Sequence, residues 1–173
     1  GFAVECEASG VDETSVQDPD PSALATRLAL AKARAVAARR PEAWVLGADQ
    51  VAFDGRHCFG KPSDPADHFA RLASLRGRTH WLHTAFALLA PGVSHTQVVR
   101  SALRMRADLT DAELAAYVAT GEGSGCAGGY AVEGQGAWLF EAIEGDWFNV
   151  IGLPLFEVIG ALRAHGWRLG SPP

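Results

Sequence analysis

The chain has 173 residues, 48% hydrophobic and 20% charged, with a formal net charge of −5. That length fits one domain with a real core, and so little charge argues against long disordered tails. The acidic balance argues against binding long nucleic acid, which needs clustered Lys and Arg, but leaves room for a small anionic ligand at a locally positive site.

The opening "GFAVECEASG" has no Met and reads as strand-like. "PSALATRLALAKARAVAARRP" predicts a helix with Ser22 as its N-cap. Leu24, Leu28, Ala31 and Ala35 fall on one face of it, and Pro41 closes it. "WVL" predicts a short buried strand, and "QVAFDGRHCFG" a hairpin turning at Asp54-Gly55. "SDPADHFARLASLRG" predicts a second helix, with Asp64 as N-cap, Pro65 in the first turn and Gly77 as stop. Its apolar stripe is Phe69, Leu72 and Leu75. "THWLHTAFALLAPG" and "TQVVRSALRMRA" predict two strands joined by a turn. "TDAELAAYVATGEG" opens with a capping box from Thr110 to Glu113 and ends at Gly121. "AWLFEAIEG" predicts a strand. "LPLFEVIGALRAHG" predicts a closing helix, with Pro154 in its first turn and Gly166 as stop. Helices interleaved with strands and hairpins imply a single α/β domain with a mixed sheet flanked by helices.

The cysteines Cys6, Cys58 and Cys126 are far apart and form no CxxC pattern. A disulfide framework or a zinc site is therefore not expected, and a reducing, cytoplasmic setting is. No run of ~18 apolar residues suggests a membrane span, and no signal peptide is visible.

Several residues stand out for chemistry. Asp49 follows the apolar Trp44-Val45-Leu46. An acid at the mouth of a buried strand is costly unless it caps, pairs or works. Gly47 would let the backbone leave the strand end and present Asp49 at the tip, where ligands of α/β sheets tend to bind. A loop-capping role is the bland alternative. Lys61, between Gly60 and Pro62, is either a solvated surface lysine, the reading the turn alone favours, or a point charge for a phosphate. Lys32 sits on the border of the buried helix stripe, either snorkelling or meeting an anion. Asp12 and Glu13 are adjacent acids. Either they belong to an acidic loop, or in an extended segment one would face a site and bind a divalent metal while the other meets water. "GCAGGYAVEGQGA" is glycine-dense but is not a Walker A loop; its Glu133 is placed to accept hydrogen bonds from a base edge. His80 and His83 lie three apart on a strand, on opposite faces, so they do not share a metal.

In order, "VLGADQVAFDGRHCFGKPSD", "LASLRGRTHWLHTAFAL", "YVATGEGSGCAGGYAVEGQGA" and "IEGDWFNVIGLPL" resemble the pattern of the Maf family of nucleotide pyrophosphatases, the septum-formation-inhibitor-like proteins. The resemblance covers nearly the whole chain. It implies an elongated mixed sheet and two lobes around a cleft. It also implies hydrolysis of a nucleoside triphosphate between the α and β phosphates, with a divalent metal (Mg, Mn or Co) as cofactor and a homodimer as a family-level expectation. By the same resemblance Asp49 matches the proton acceptor, Lys32 and Lys61 match the phosphate site, and Glu13 and Asp49 flank the metal. Gln50 and Glu133 stand at the positions that separate the branches. With Cys126, they resemble the branch acting on 7-methyl-GTP rather than the one acting on dTTP and UTP. The alternatives are that dTTP/UTP branch and a non-catalytic nucleotide-binding division regulator. The family's usual opening strand and arginine loop have no counterpart here, so the domain is expected to be N-terminally incomplete.

Overall fold

In the computed structural model, which describes residues 4–170, Asp20 opens the first helix. Its side chain accepts hydrogen bonds from the backbone N–H groups of Ser22 (2.7 Å) and Ala23 (3.2 Å). Pro21, whose fixed φ suits a first helical position, begins α1 (Pro21–Ala37). Asp20 thus takes the capping role expected of Ser22. The Ser22 hydroxyl pairs instead with His83 Nδ1, at 2.8 Å.

The five-stranded sheet has the order β2-β1-β3-β4-β5, with β1 Val45–Phe53, β2 Cys58–Phe59, β3 Thr79–Ala90, β4 Val93–Met105 and β5 Phe140–Glu144. The α/β class and the flanking helices are as expected. The mixed pairing is not found: all four adjacent pairs among the described residues are antiparallel. Short connections enforce this for β1–β2 and β3–β4, since only antiparallel strands can be joined by a tight hairpin.

The buried face of α1 is Ala25, Leu28, Ala29 and Ala33; of the expected stripe Leu28 lies on it, while Leu24, Ala31 and Ala35 are half-buried beside it. Gly47 explains the rotation. A Cβ there would lie 2.6 Å from Ala29 O and Ala33 N, so glycine and a row of alanines let helix and strand backbones touch. This face of the sheet also holds Val45, Val51, Ala85 and Ala87. The opposite face is covered in two places. Near Phe86 and Leu88 it meets α5 (Leu155–Ala164) through Val158 and Ala161. Farther along, Ala52, Leu82 and Leu103 pack with Leu72 and Leu75 of α2 (Pro65–Leu75) and with Leu114 and Tyr117 of α3 (Asp111–Ala119).

Several end signals hold. Asp64 caps α2, Thr110 and Glu113 form the capping box of α3, and Gly77, Gly121 and Gly166 adopt positive φ beyond their helices. Others shift. "AWL" belongs to a 3₁₀ turn, Gln135–Leu139, that precedes β5. Pro154 is the N-cap of α5 rather than part of its first turn. The short helix α4 (Trp147–Val150), capped by Asp146, had no counterpart in the predicted elements. Val4–Gly10 carry no regular structure, against the strand-like reading of the opening, whose residues 1–3 lie outside the described residues. Ion pairs from Glu5 and Glu7 to Arg39 and Arg40 tie this segment to the end of α1. No described helix is long and apolar enough to cross a membrane.

Candidate active site

Strand β1 runs unbroken past Gly47, so Asp49 stands mid-strand, paired with Ala85. It is not at a strand tip, and Gly47 serves helix docking rather than an exit. The alternation of side chains along a strand turns Asp49 toward α1. There Lys32 Nζ meets Asp49 Oδ1 at 2.6 Å and Glu13 Oε1 at 2.7 Å. The Asp49 side chain is 10% exposed and that of Lys32 21%.

Glu13 reaches this point from a 3₁₀ turn, Glu13–Ser15, rather than from an extended segment. Asp12 caps that turn, accepting from Thr14 N at 3.0 Å and Thr14 Oγ1 at 2.7 Å. The division of labour between the two acids is as expected, one facing the site and one not, but a turn produces it.

Burial pushes the Asp49 carboxyl above its usual range, and the opposing pull of Lys32 does not cancel it. Burial pulls the Lys32 ammonium down, but its hydrogen bonds to Asp49 and Glu13 outweigh that and leave it raised. The pair therefore holds a cation firmly beside a carboxylate that accepts a proton more readily than one in water.

These groups line a cavity of about 580 Å³, a size suited to a small ligand. Glu13, Lys32, Asp49, Gln50, Lys61 and Glu133 all contribute to its wall, with Cys58, Cys126 and the Val150–Gly152 turn. From Val45 to Val51 one edge of β1 pairs with β3, and no described strand pairs with the other. The cavity lies along this second edge, so Asp49 and Gln50 both reach it from opposite faces of one strand.

Gln50 is held in place. Its Nε2 donates to Thr84 Oγ1 at 2.8 Å and to the Asn149 carbonyl at 2.7 Å. Asn149 is fully buried and donates through Nδ2 to Ser101 Oγ at 2.8 Å. Its role was missed in the sequence. The signal was the Asp146 cap of "GDWFNV", which starts a helical turn. Glu133 is exposed at the cavity wall. Cys126 nearby has its thiol pushed up by burial and by the Glu133 charge. His80 and His83 do face opposite sides, toward Tyr130 and Ser22 respectively.

The residues fit a hard divalent cation in one respect. Two carboxylates, from Glu13 and Asp49, converge on one positive charge, the Lys32 ammonium. Among the described residues no group of three or more His, Cys, Asp or Glu side chains is placed to hold a metal. Glu13 and Asp49 alone could hold a divalent cation only with water and substrate phosphate completing its shell.

A family model described as Maf-like protein matches residues 1–165. The chain belongs to the Maf-like protein family. It is 44% identical over 171 residues to the dTTP/UTP pyrophosphatase of Moorella thermoacetica, covering 96% of this chain and 86% of that protein. It is 40% identical over 166 residues to the dTTP/UTP pyrophosphatase of Deinococcus radiodurans (96% and 84%). It is also 41% identical over 172 residues to the nucleoside triphosphate pyrophosphatase of Rhodopseudomonas palustris (94% and 84%). The fold gathers residues of the glycine-rich segment, the "GKP" turn and the Asp49 strand around one cavity.

Proposed function

We propose that this Maf-like protein is a nucleoside triphosphate pyrophosphatase, releasing pyrophosphate and a nucleoside monophosphate, with dTTP and UTP as preferred substrates. The observation that carries the activity is the convergence of Lys32, Asp49 and Glu13 in a cavity that also holds Lys61. The names of the Moorella and Deinococcus relatives support the pyrimidine preference.

In this reading Asp49 orients a water and takes its proton as the water oxygen attacks the α-phosphorus. The α–β bridging oxygen leaves with pyrophosphate. The raised proton affinity of Asp49 suits that task. Lys61, and Lys32 once the triphosphate draws it from the carboxylates, offset the charge on the phosphate oxygens. Glu13 and Asp49 would hold the divalent cation, which when bound supplies further neutralisation of phosphate charge.

A second reading of the substrate rests on Gln50. Its amide N–H groups are engaged by Thr84 and Asn149, so toward a ligand it offers an acceptor. Glu133 offers acceptors too. Two acceptors suit the N1–H and N2–H₂ donors of guanine, and a cationic 7-methylguanine is drawn to a carboxylate. This favours 7-methyl-GTP. Pyrophosphate release from UTP, dTTP, GTP and 7-methyl-GTP with magnesium separates the two. Faster turnover of UTP and dTTP, lost in Asp49→Ala, is the expected result. Preference for 7-methyl-GTP would select the second reading, and no release from any of the four would refute the activity.

A further inference from the structure

The glycine-dense segment that carries Glu133 is held from outside the cavity. The turn Ala131–Gly136 closes on itself through Gly134 N to Ala131 O, 3.3 Å. It is so tight that a Cβ on Gly136 would lie 2.3 Å from Ala131 O. The 3₁₀ turn that follows has Gly134 at its N-cap, with no side chain to accept from the first N–H groups. Glu122 fills that role from 13 and 14 residues upstream. Its Oε2 accepts from Gln135 N at 3.1 Å and its Oε1 from Gly136 N at 3.0 Å.

Gly134 makes room for this, since a Cβ there would sit 2.5 Å from Glu122 Oε1. Glu122 is itself fixed, its N–H donating to Thr120 Oγ1 at 3.0 Å. On the other side of Glu133, Ala131 N donates to the Tyr117 hydroxyl at 3.0 Å. The backbone is thus pinned two residues before Glu133 and two residues after it, by groups of α3 and the turn beyond it. Neither Glu122 nor Tyr117 lines the cavity itself.

We infer that Glu122 is a positioning residue for nucleotide selection, acting through the Ala131–Gly136 backbone to aim Glu133 at the base. This rests on the reading of Glu133 as a base-facing group. A carboxylate receiving two consecutive backbone N–H groups is a charge-assisted, two-point anchor. Releasing it frees the turn without removing any group from the cavity.

The test uses Glu122→Ala, Glu122→Gln, Glu133→Gln and the double variant Glu122→Ala/Glu133→Gln. Amide exchange comes first, because it does not depend on catalysis. In Glu122→Ala the Gln135 and Gly136 amides should exchange faster while those of β3 keep their protection. Then KM and kcat are measured across UTP, dTTP, GTP and 7-methyl-GTP, with dissociation constants for the monophosphates and for non-hydrolysable triphosphates alongside. Those constants read base selection even if the chain hydrolyses nothing. Glu122→Ala should weaken the preferred nucleotide by roughly ten-fold through KM or Kd, with a smaller change in kcat, because loss of aim costs binding of the base. Glu122→Gln, which keeps one acceptor, should fall between. In the Glu133→Gln background Glu122→Ala should change discrimination no further. Equal loss on every nucleotide, independent effects in the double variant, or unchanged Gln135 and Gly136 exchange would each overturn the inference. If Glu122→Ala does not fold, Glu122→Gln carries the same comparison.

Discussion

Asp49 and Gln50 are neighbours on one strand, yet they live in different chemistry. Asp49 faces α1 and a charged cluster in which one ammonium bridges two carboxylates. Gln50 faces the opposite side and a neutral network running through Thr84, Asn149 and Ser101. The alternation of the strand separates them, and the open edge of β1 lets both reach one cavity. The charged groups are thereby kept apart from the dipoles that hold Gln50 still. The two faces should fail in different ways when disturbed.

The largest failure should come on the charged face. Asp49→Asn removes the proposed proton acceptor but keeps the volume, and Lys32 retains Glu13 as a partner. Turnover should fall by about 10³-fold or more, with the melting temperature moving by only a few degrees, about the effect of 1 kcal/mol in a chain of this size. Steady-state assay beside a thermal melt checks both. A large drop in melting temperature would mean that Asp49 is chiefly structural.

The neutral face should break by acid. His80 is fully buried there, its Nε2 2.5 Å from the Tyr130 hydroxyl. Burial holds its pKa down at about 4, against 6.5 for an ordinary histidine. The folded chain therefore binds fewer protons than the unfolded chain between those values, and stability rises with pH across that window. The contribution is fully present above pH 6.5 and is lost as pH falls toward 4, by up to about 3 kcal/mol. Urea midpoints at pH 7.5 and 4.5 should show this in the wild type and a smaller fall in His80→Gln. Parallel acid sensitivity in both would assign it to other groups.

The contrast also shows what a sequence discloses. Helix ends were legible where a short polar side chain or a glycine settles the matter locally, as at Asp64, Thr110 and Gly121. The α1 cap was misread although Asp20-Pro21 repeats the Asp64-Pro65 pattern: Pro21 takes the first helical position and Asp20 caps it, while the Ser22 hydroxyl pairs with His83, 61 residues away. The buried stripe of α1 was misplaced because its alanines face a glycine strand, and hydrophobicity alone does not favour alanine over leucine. The members of the charged cluster were singled out from their own positions and given roles by the resemblance, and the fold brings Lys32 into contact with both Glu13 and Asp49. Asn149 and Glu122 were not identified: the Asp146 cap marks the turn that carries Asn149 but not its partners, Gln50 and Ser101, and Glu122 bonds backbone N–H groups that no residue pattern names.

Gly47→Ala would sharpen the comparison by moving the charged face as a body. The added Cβ meets backbone atoms of α1 at 2.6 Å, and backbone cannot yield as a flexible side chain does. The helix must shift, costing about 1–3 kcal/mol, and Lys32 shifts with it. Urea denaturation should register that loss, and turnover should fall more than base discrimination changes. Equal stability would show that the helix is not docked through Gly47.

The smallest expected effect lies on the neutral face. Gln50→Leu keeps similar bulk but leaves the Asn149 carbonyl and Thr84 hydroxyl without the amide that joins them. An orphaned acceptor costs about 1–3 kcal/mol when water cannot reach it. Here the cavity adjoins the strand edge, so water can replace part of the lost bond and the loss should sit at the lower end. Turnover number should hold within about three-fold, because the proton acceptor and the lysines are untouched. On the 7-methyl-GTP reading, in which Gln50 and Glu133 accept from the base, the order of preference among UTP, GTP and 7-methyl-GTP should change, because one of the two proposed acceptors is gone. A collapse of turnover on every nucleotide alike would show that the two faces of β1 are not separate in function, and that Gln50 supports Asp49 through the strand they share.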